Sequence, residues 1–179
     1  MGPRAFKGSL PWLLRTGLKR VETLLDVVAM NAKASPHDLA FEMDDEHLTW
    51  SELDTTTSRV AHVLSAAGLK QGDVVALFAE NSPFYVACVL GAARVGATAA
   101  LINTNLRGRP LSHAVSASTA KVVLVSNALE PGLRECEDLC RSLDRVLVFG
   151  DDPYSGLLGE TPTAPYPPAK VSSDDDFIY

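Results

Sequence analysis

The chain reads as an α/β fold with a doubly wound, largely parallel sheet and flanking helices, and three observations predict it. Short apolar runs recur between turn signals at 74–79, 97–102, 121–126 and 145–149, as strands buried on both faces do. Stretches of helical periodicity lie between them, so strand and helix alternate along the chain. Residues 72–107 hold a strand–helix–strand unit whose helix has a readable start and stop; a unit on that spacing is expected to cross over right-handed.

The elements follow in order. Within 1–21 stand Arg4, Lys7, Arg15, Lys19 and Arg20 without an acid, and Phe6, Leu10, Leu13, Leu14, Leu18 and Val21 recur at helical spacing. Such a segment, here taken as 1–22, fits a basic amphipathic helix at a membrane surface. It also fits an organelle-targeting presequence, or a first helix that packs its stripe on the domain and turns its charges to water. Residues 23–34 read as a helix capped by Thr23, with Leu24, Leu25, Val27, Val28 and Met30 apolar, and Ser35-Pro36 stops it. Residues 39–43 and 47–50, about Asp44-Asp45-Glu46, suggest a hairpin with an acidic turn. Thr49-Trp50-Ser51-Glu52 is a capping box, each end satisfying a backbone N–H of the other. Leu53, Thr57, Val60, Ala61, Leu64 and Ala67 mark one face of the helix it starts, and Gly68 ends that helix.

In the central unit the strand 74–79 leads to Ser82 as N-cap and Pro83 at the first helical position, where a missing N–H leaves no bond unmade. Gly96 closes the helix in the left-handed conformation that glycine adopts cheaply, and 97–102 is the next strand. Beyond Arg107 come a helix at 110–118, a strand at 121–126, a helix at 130–143 and a strand at 145–149. The stretch 151–173 carries Pro153, Pro162, Pro165, Pro167 and Pro168 and reads as a linker or irregular surface loop. Residues 174–179 lead out of an acidic run into Phe177-Ile178-Tyr179, which looks like the start of a strand.

Composition narrows the classes. With 46% hydrophobic and 21% charged residues, 179 residues bury one ordinary core. A net charge of -6 argues against a nucleic-acid surface. Cys88, Cys136 and Cys140 leave one thiol over if two bridge, and no Asn-x-Ser/Thr acceptor occurs, so a reducing, cytosol-facing compartment fits. No apolar run approaches the roughly 20 residues that span a bilayer. Any membrane contact is therefore expected from one side.

Independent chemistry is sparse. The chain has no G-x-G-x-x-G after a strand, no G-x-x-x-x-G-K-[ST] and no G-x-S-x-G, and His37, His47, His62 and His113 lack metal-ligand spacing. Cys136 and Cys140 stand at i, i+4 on the expected helix 130–143; two buried thiols outweigh a shared metal. Ligands of open α/β sheets bind beyond the carboxyl ends of the strands, and here those ends carry Glu80-Asn81-Ser82, Asn103-Thr104-Asn105, Ser126-Asn127 and Gly150-Asp151. They read either as a rim that touches nucleotide or acyl substrate, or as caps that satisfy loose backbone groups. Arg107 is expected in a surface or inter-subdomain ion pair rather than as a catalytic cation.

The segment 72–107 also carries a resemblance. Its Gly72-Asp73-Val74-Val75-Ala76 strand, Asn81-Ser82-Pro83 helix start and Gly96-Ala97 turn resemble the N-terminal signature of adenylate-forming acyl-CoA synthetases. Ala99-Ala100-Leu101-Ile102-Asn103-Thr104-Asn105-Leu106-Arg107 is similar to the branch of fatty acid transport proteins, also called very-long-chain acyl-CoA synthetases. The likeness spans roughly 25–150 and the last few residues, so 23–150 is expected to be the N-terminal subdomain of an AMP-binding domain.

The resemblance implies a two-step reaction for a complete enzyme. A long- or very-long-chain fatty carboxylate attacks the α-phosphate of ATP with Mg²⁺ present, and coenzyme A then displaces AMP to give the thioester. It also implies attachment to a membrane on its cytosolic face, whether endoplasmic reticulum, plasma membrane or another organelle. In the family, Asp-Phe-Ile-Tyr leads into the phosphate-binding Thr-Ser-Gly-Thr-Thr-Gly-x-Pro-Lys loop, so Phe177, Ile178 and Tyr179 are carried over as the leading edge of the nucleotide-binding motif. The loop itself is not within 1–179. Adenylation stabilises a phosphoryl-transfer transition state through positioned cations and backbone donors, so no catalytic residue, no metal ligand, no bound cofactor and no ligase activity are expected of these residues alone. Two other readings stay open: a short isoform acting as a non-catalytic partner- or membrane-binding module, and a truncated gene model. A strand stub at the end would favour self-association.

Overall fold

The computed structural model describes residues 23–136, 140, 143–150, 152–153, 156–170 and 178. The expectations for 1–22 and for the acidic run before Phe177 lie outside these residues. Helix α1 (Leu24–Ala34) begins at a capping box: Thr23 Oγ1 accepts the Asp26 N–H while the Asp26 carboxylate accepts the Thr23 N–H at 3.0 Å. Of its apolar positions only Leu25 and Val28 are buried. Strands β1 (Leu39–Met43) and β2 (Glu46–Thr49) then form the antiparallel hairpin. Trp50, expected in the hairpin, is instead the first residue of α2 (Trp50–Ala66). The cause is the second capping box, in which Thr49 N–H donates to Glu52 Oε2 at 2.8 Å and so fixes the helix start just after Thr49.

The main sheet holds β3 (Val74–Phe78), β4 (Thr98–Leu101), β5 (Val122–Ser126) and β6 (Arg145–Phe149), in the order β4-β3-β5-β6 and parallel throughout. Helix α3 (Pro83–Val95) joins β3 to β4, α4 (Gly108–Ala117) joins β4 to β5, and α5 (Glu130–Arg134) lies between β5 and β6. The strands alternate their side chains between two cores. Val75, Leu77, Val122 and Leu124 pack with α2 and α3 residues such as Val60, Leu64 and Cys88; Ala76, Phe78, Val123 and Val125 pack with Leu111, Val115 and Leu133 of α4 and α5. Burial on both faces is what doubly wound topology requires of a parallel sheet. A third cluster joins Leu25 and Val28 to Leu48, Leu53, Ala87 and Leu90, seating the hairpin and α1 on α2 and α3.

The helix expected over 130–143 is the main departure. Helix α5 has five residues and passes into a turn at 135–136, with Cys140 outside any helix. Gly132 weakens its first turn, Leu129 gives no side-chain cap, and a helix that cannot propagate does not repay its costly nucleus.

The proline-rich stretch has neither helix nor strand among its described residues, yet it is pinned to the domain. Leu158 is buried in the core against α2 and α3, and Arg59 Nη2 donates to its carbonyl at 2.6 Å. Further on, His62 Nε2 lies 3.1 Å from Ala164 O, the Ala169 N–H donates to Arg94 O at 2.9 Å, and Gln71 Nε2 donates to Lys170 O at 3.0 Å. The chain thus runs from β6 back across α2 and α3 toward the other edge, where Ile178 makes a parallel bridge to Ala99 of β4.

Candidate functional site

The carboxyl ends of the four parallel strands come together on one rim, as the topology dictates. Two contacts tie that rim crosswise: Ser126 Oγ donates to Glu80 Oε2 at 2.6 Å, joining the ends of β3 and β5, and the Asn127 N–H donates to Phe149 O at 2.7 Å, joining β5 to β6. Ser82 Oγ accepts the Tyr85 N–H at 3.0 Å as the cap of α3. Asn103 Oδ1 accepts the Asn105 N–H at 2.9 Å and closes an Asx turn after β4. Gly150 lies at the end of β6, and Asp151 falls outside the described residues.

Arg107 makes no surface ion pair among the described residues. Its Nη1 donates to Thr104 O at 2.6 Å and Leu106 O at 2.7 Å, so main-chain carbonyls hold the guanidinium. Its side chain crosses Gly132, where an added Cβ would stand 3.0 Å from Arg107 Cδ. Sequence reasoning missed that contact; the only available signal was a glycine in the first turn of α5.

Of the three residues carried over from the resemblance, Ile178 is exposed beside β4, and Phe177 and Tyr179 lie outside the described residues. The cysteines are buried and unbridged. Burial pushes the Cys88 thiol far above the usual thiol range, and Cys136 Sγ and Cys140 Sγ are turned to main-chain oxygens, Leu133 O and Cys136 O, each at 3.5 Å. Among the described residues no group of three or more His, Cys, Asp or Glu is placed to hold a metal ion.

Chemically, the rim offers one carboxylate bound to a hydroxyl and several caps already engaged with backbone. ATP with Mg²⁺ calls for assembled cations and free amide donors, and the residues described here do not provide that set, so no step is assigned to them. One cleft of about 400 Å³ went unforeseen; it is lined by His47, Ser51, Glu52, Thr55, Thr56 and Arg59 of β2 and α2, with none of the strand ends.

A parallel four-stranded sheet with helices on both faces and polar strand ends, bridged at Ala99 by Ile178, defines an open α/β domain of the doubly wound class. The family described as AMP-binding enzyme matches residues 28–179, and this chain belongs to that family. Among its relatives, long-chain fatty acid transport protein 1 of Rattus norvegicus is 31% identical over 178 residues, covering 93% of this chain and 28% of the relative. Long-chain fatty acid transport protein 2 of the same organism is 38% identical over 116 residues, covering 64% of this chain and 19% of the relative. The N-terminal domain of FACL13 from Mycobacterium tuberculosis superposes with a TM-score of 0.76 at 26% identity, covering 88% of this chain and 41% of that one. The chain spans between 15% and 28% of the length of curated relatives such as these.

Proposed function

We propose that this chain is the N-terminal part of an ATP-dependent fatty acid–CoA ligase acting on long- or very-long-chain fatty acids, with the acyl-CoA product trapping fatty acid taken up across a membrane. The observation that carries the reading is the 31% identity to a long-chain fatty acid transport protein over nearly the whole chain. In the intact enzyme ATP, Mg²⁺ and coenzyme A supply the activation and transfer chemistry. The present residues build the scaffold, and Phe177, Ile178 and Tyr179 form the leading edge of the nucleotide-binding motif. Residues 23–150 are the α/β subdomain, 151–173 a proline-rich linker or loop, and 1–22 the basic segment that meets the cytosolic face of a membrane.

The test compares this chain with a longer product containing it. ATP–pyrophosphate exchange dependent on a long-chain fatty acid is expected from the longer protein and not from residues 1–179. Exchange by the 179-residue chain, or none by the longer product with any fatty acid, overturns the reading. The alternative, a non-catalytic module, is favoured if a native product of 19.1 kDa is found bound to a full-length partner.

A further inference from the structure

The proline-rich run lies on α2 and α3 with a period of three. Pro162, Pro165 and Pro168 recur at every third position, with Pro167 between them. Each proline fixes its own φ at about −65° and keeps the residue before it extended, so the run is set for polyproline II, three residues to the turn. Burial keeps the same period: from 162 to 170 only Tyr166 and Ala169, three apart, are half-buried, and all four prolines are exposed. Tyr166 packs on the core shared by α2 and α3 and meets the His62 ring in a T-shaped contact, centroids 5.0 Å apart. Ala169 sits over Gly96, where an added Cβ would come within 2.9 Å of the Ala169 Cβ. Around these two side chains the domain touches the main chain. His62 Nε2 faces the Ala164 carbonyl at 3.1 Å, and Gln71 Nε2 donates to the Lys170 carbonyl at 3.0 Å, six residues and so two turns further on. The Ala169 N–H donates back to Arg94 O at 2.9 Å, and Arg59 Nη2 holds the Leu158 carbonyl in the turn that feeds the run.

We infer that the surface around His62, Gln71 and Gly96 is a binding site for a polyproline II peptide, and that residues 162–170 are the ligand the chain itself supplies to it. A ring to stack on, a gap above a glycine and side-chain donors aimed at carbonyls two turns apart are what such a peptide needs, since its backbone makes no hydrogen bonds of its own. The site selects side chains at two positions, an aromatic at 166 and a small residue at 169. Elsewhere it takes carbonyls, which any residue provides. The prolines act from the face turned to water: they leave the free run fewer conformations to lose when it docks. That accounts for four prolines that touch water rather than the domain. Attachment in the same chain raises the effective concentration of the run and keeps the site filled.

Hydrogen exchange of the 179-residue chain, read by mass spectrometry as the rate at the Ala169 amide relative to the amides of β3, tests this. The ratio to β3 separates release of the run from any loss of overall stability. It is expected to rise about tenfold in His62→Ala/Gln71→Ala, which removes both side-chain donors. It rises by about the same factor in Pro165→Ala/Pro167→Ala/Pro168→Ala, although those side chains face water. It stays at the parent value in Lys170→Ala, where only the carbonyl is used. A fluorescein-labelled peptide of residues 161–170, followed by anisotropy, binds the triple-proline variant about tenfold more tightly than the parent, whose site is occupied. An unchanged ratio in either multiple variant, a ratio raised by Lys170→Ala, or a peptide that binds both chains alike or neither overturns the inference. None of these measurements involves a nucleotide or an acyl group, so the ligase reading stands or falls separately.

Discussion

Two crossovers flank the centre of one sheet and are built differently. Helix α3 is closed at both ends, by Ser82 with Pro83 and by Gly96 at φ 83, and every residue from 87 to 95 is buried. Helix α5 has no side-chain cap, carries glycine in its first turn, and buries Leu133 alone. Both serve parallel strands of comparable length. Among the described residues of this crossover the helix runs little more than one turn, and β6 keeps a full ladder to β5, from Val122–Arg145 to Ser126–Phe149. Caps and burial decide how far a helix propagates, and apolar spacing alone does not.

The comparison is broken or sharpened by paired substitutions, the largest effect first. Leu77→Ala removes a side chain buried at the sheet centre and is expected to lower the unfolding free energy by about 2–5 kcal/mol, against roughly 1–2 kcal/mol for Leu147→Ala on the half-buried β6. Urea unfolding measures both, and equal losses would place the sheet centre and the β6 edge on the same footing. Next come two glycines. An added Cβ at Gly91 would stand 2.5 Å from Val60 Cγ1, so Gly91→Ala forces α2 and α3 apart at a cost of about 1–3 kcal/mol. Gly132→Ala meets only the Arg107 side chain, which can swing aside, and stays within about 0.5 kcal/mol of the parent. Ser82→Ala removes the α3 cap and is expected to lower stability by about 1 kcal/mol, read as a fall in the thermal midpoint.

The smallest effect depends on pH. Lys121 Nζ, 2.6 Å from Asp73 Oδ1, holds the Asp73 carboxyl below the usual aspartate range, with the Lys70 N–H assisting. A carboxyl depressed on folding adds stability above its unfolded pKa, near 4, and loses it as pH falls through the lower folded value. Asp73→Asn should therefore match the parent at the acid end and be the less stable protein at pH 7. A parent advantage that survives at the acid end would show that another contact carries the effect.

Much of this architecture was legible because its signals are local. Ser82-Pro83, Gly96, Thr49 with Glu52 and the apolar strand runs each act within a few residues, and all of them stand where the spacing puts them. The helix expected over 130–143 already breaks at 135–136, because the glycine in its first turn and the missing cap at Leu129 outweigh its periodicity. At the strand ends, the sequence showed which polar residues gather but not that Glu80 takes the Ser126 hydroxyl or that Arg107 turns to carbonyls, since both depend on distances across the fold. The burial of Leu158 was equally hidden, because nothing in a proline-rich stretch marks the residue that anchors it.

The bridge between Ala99 and Ile178 has a consequence for how the molecule is made. Strand β4 emerges from the ribosome long before the residue that pairs with its free side. During that interval its outer N–H and C=O groups, with Leu101 exposed among them, form an open template for any extended segment nearby. Among the described pairings of the main sheet, this one joins the residues farthest apart in the chain, and such contacts form late. A nascent chain held at that stage is the form most exposed to pairing with its neighbours on the same polysome, and synthesis through Ile178 supplies the bridge that covers Ala99 on that edge.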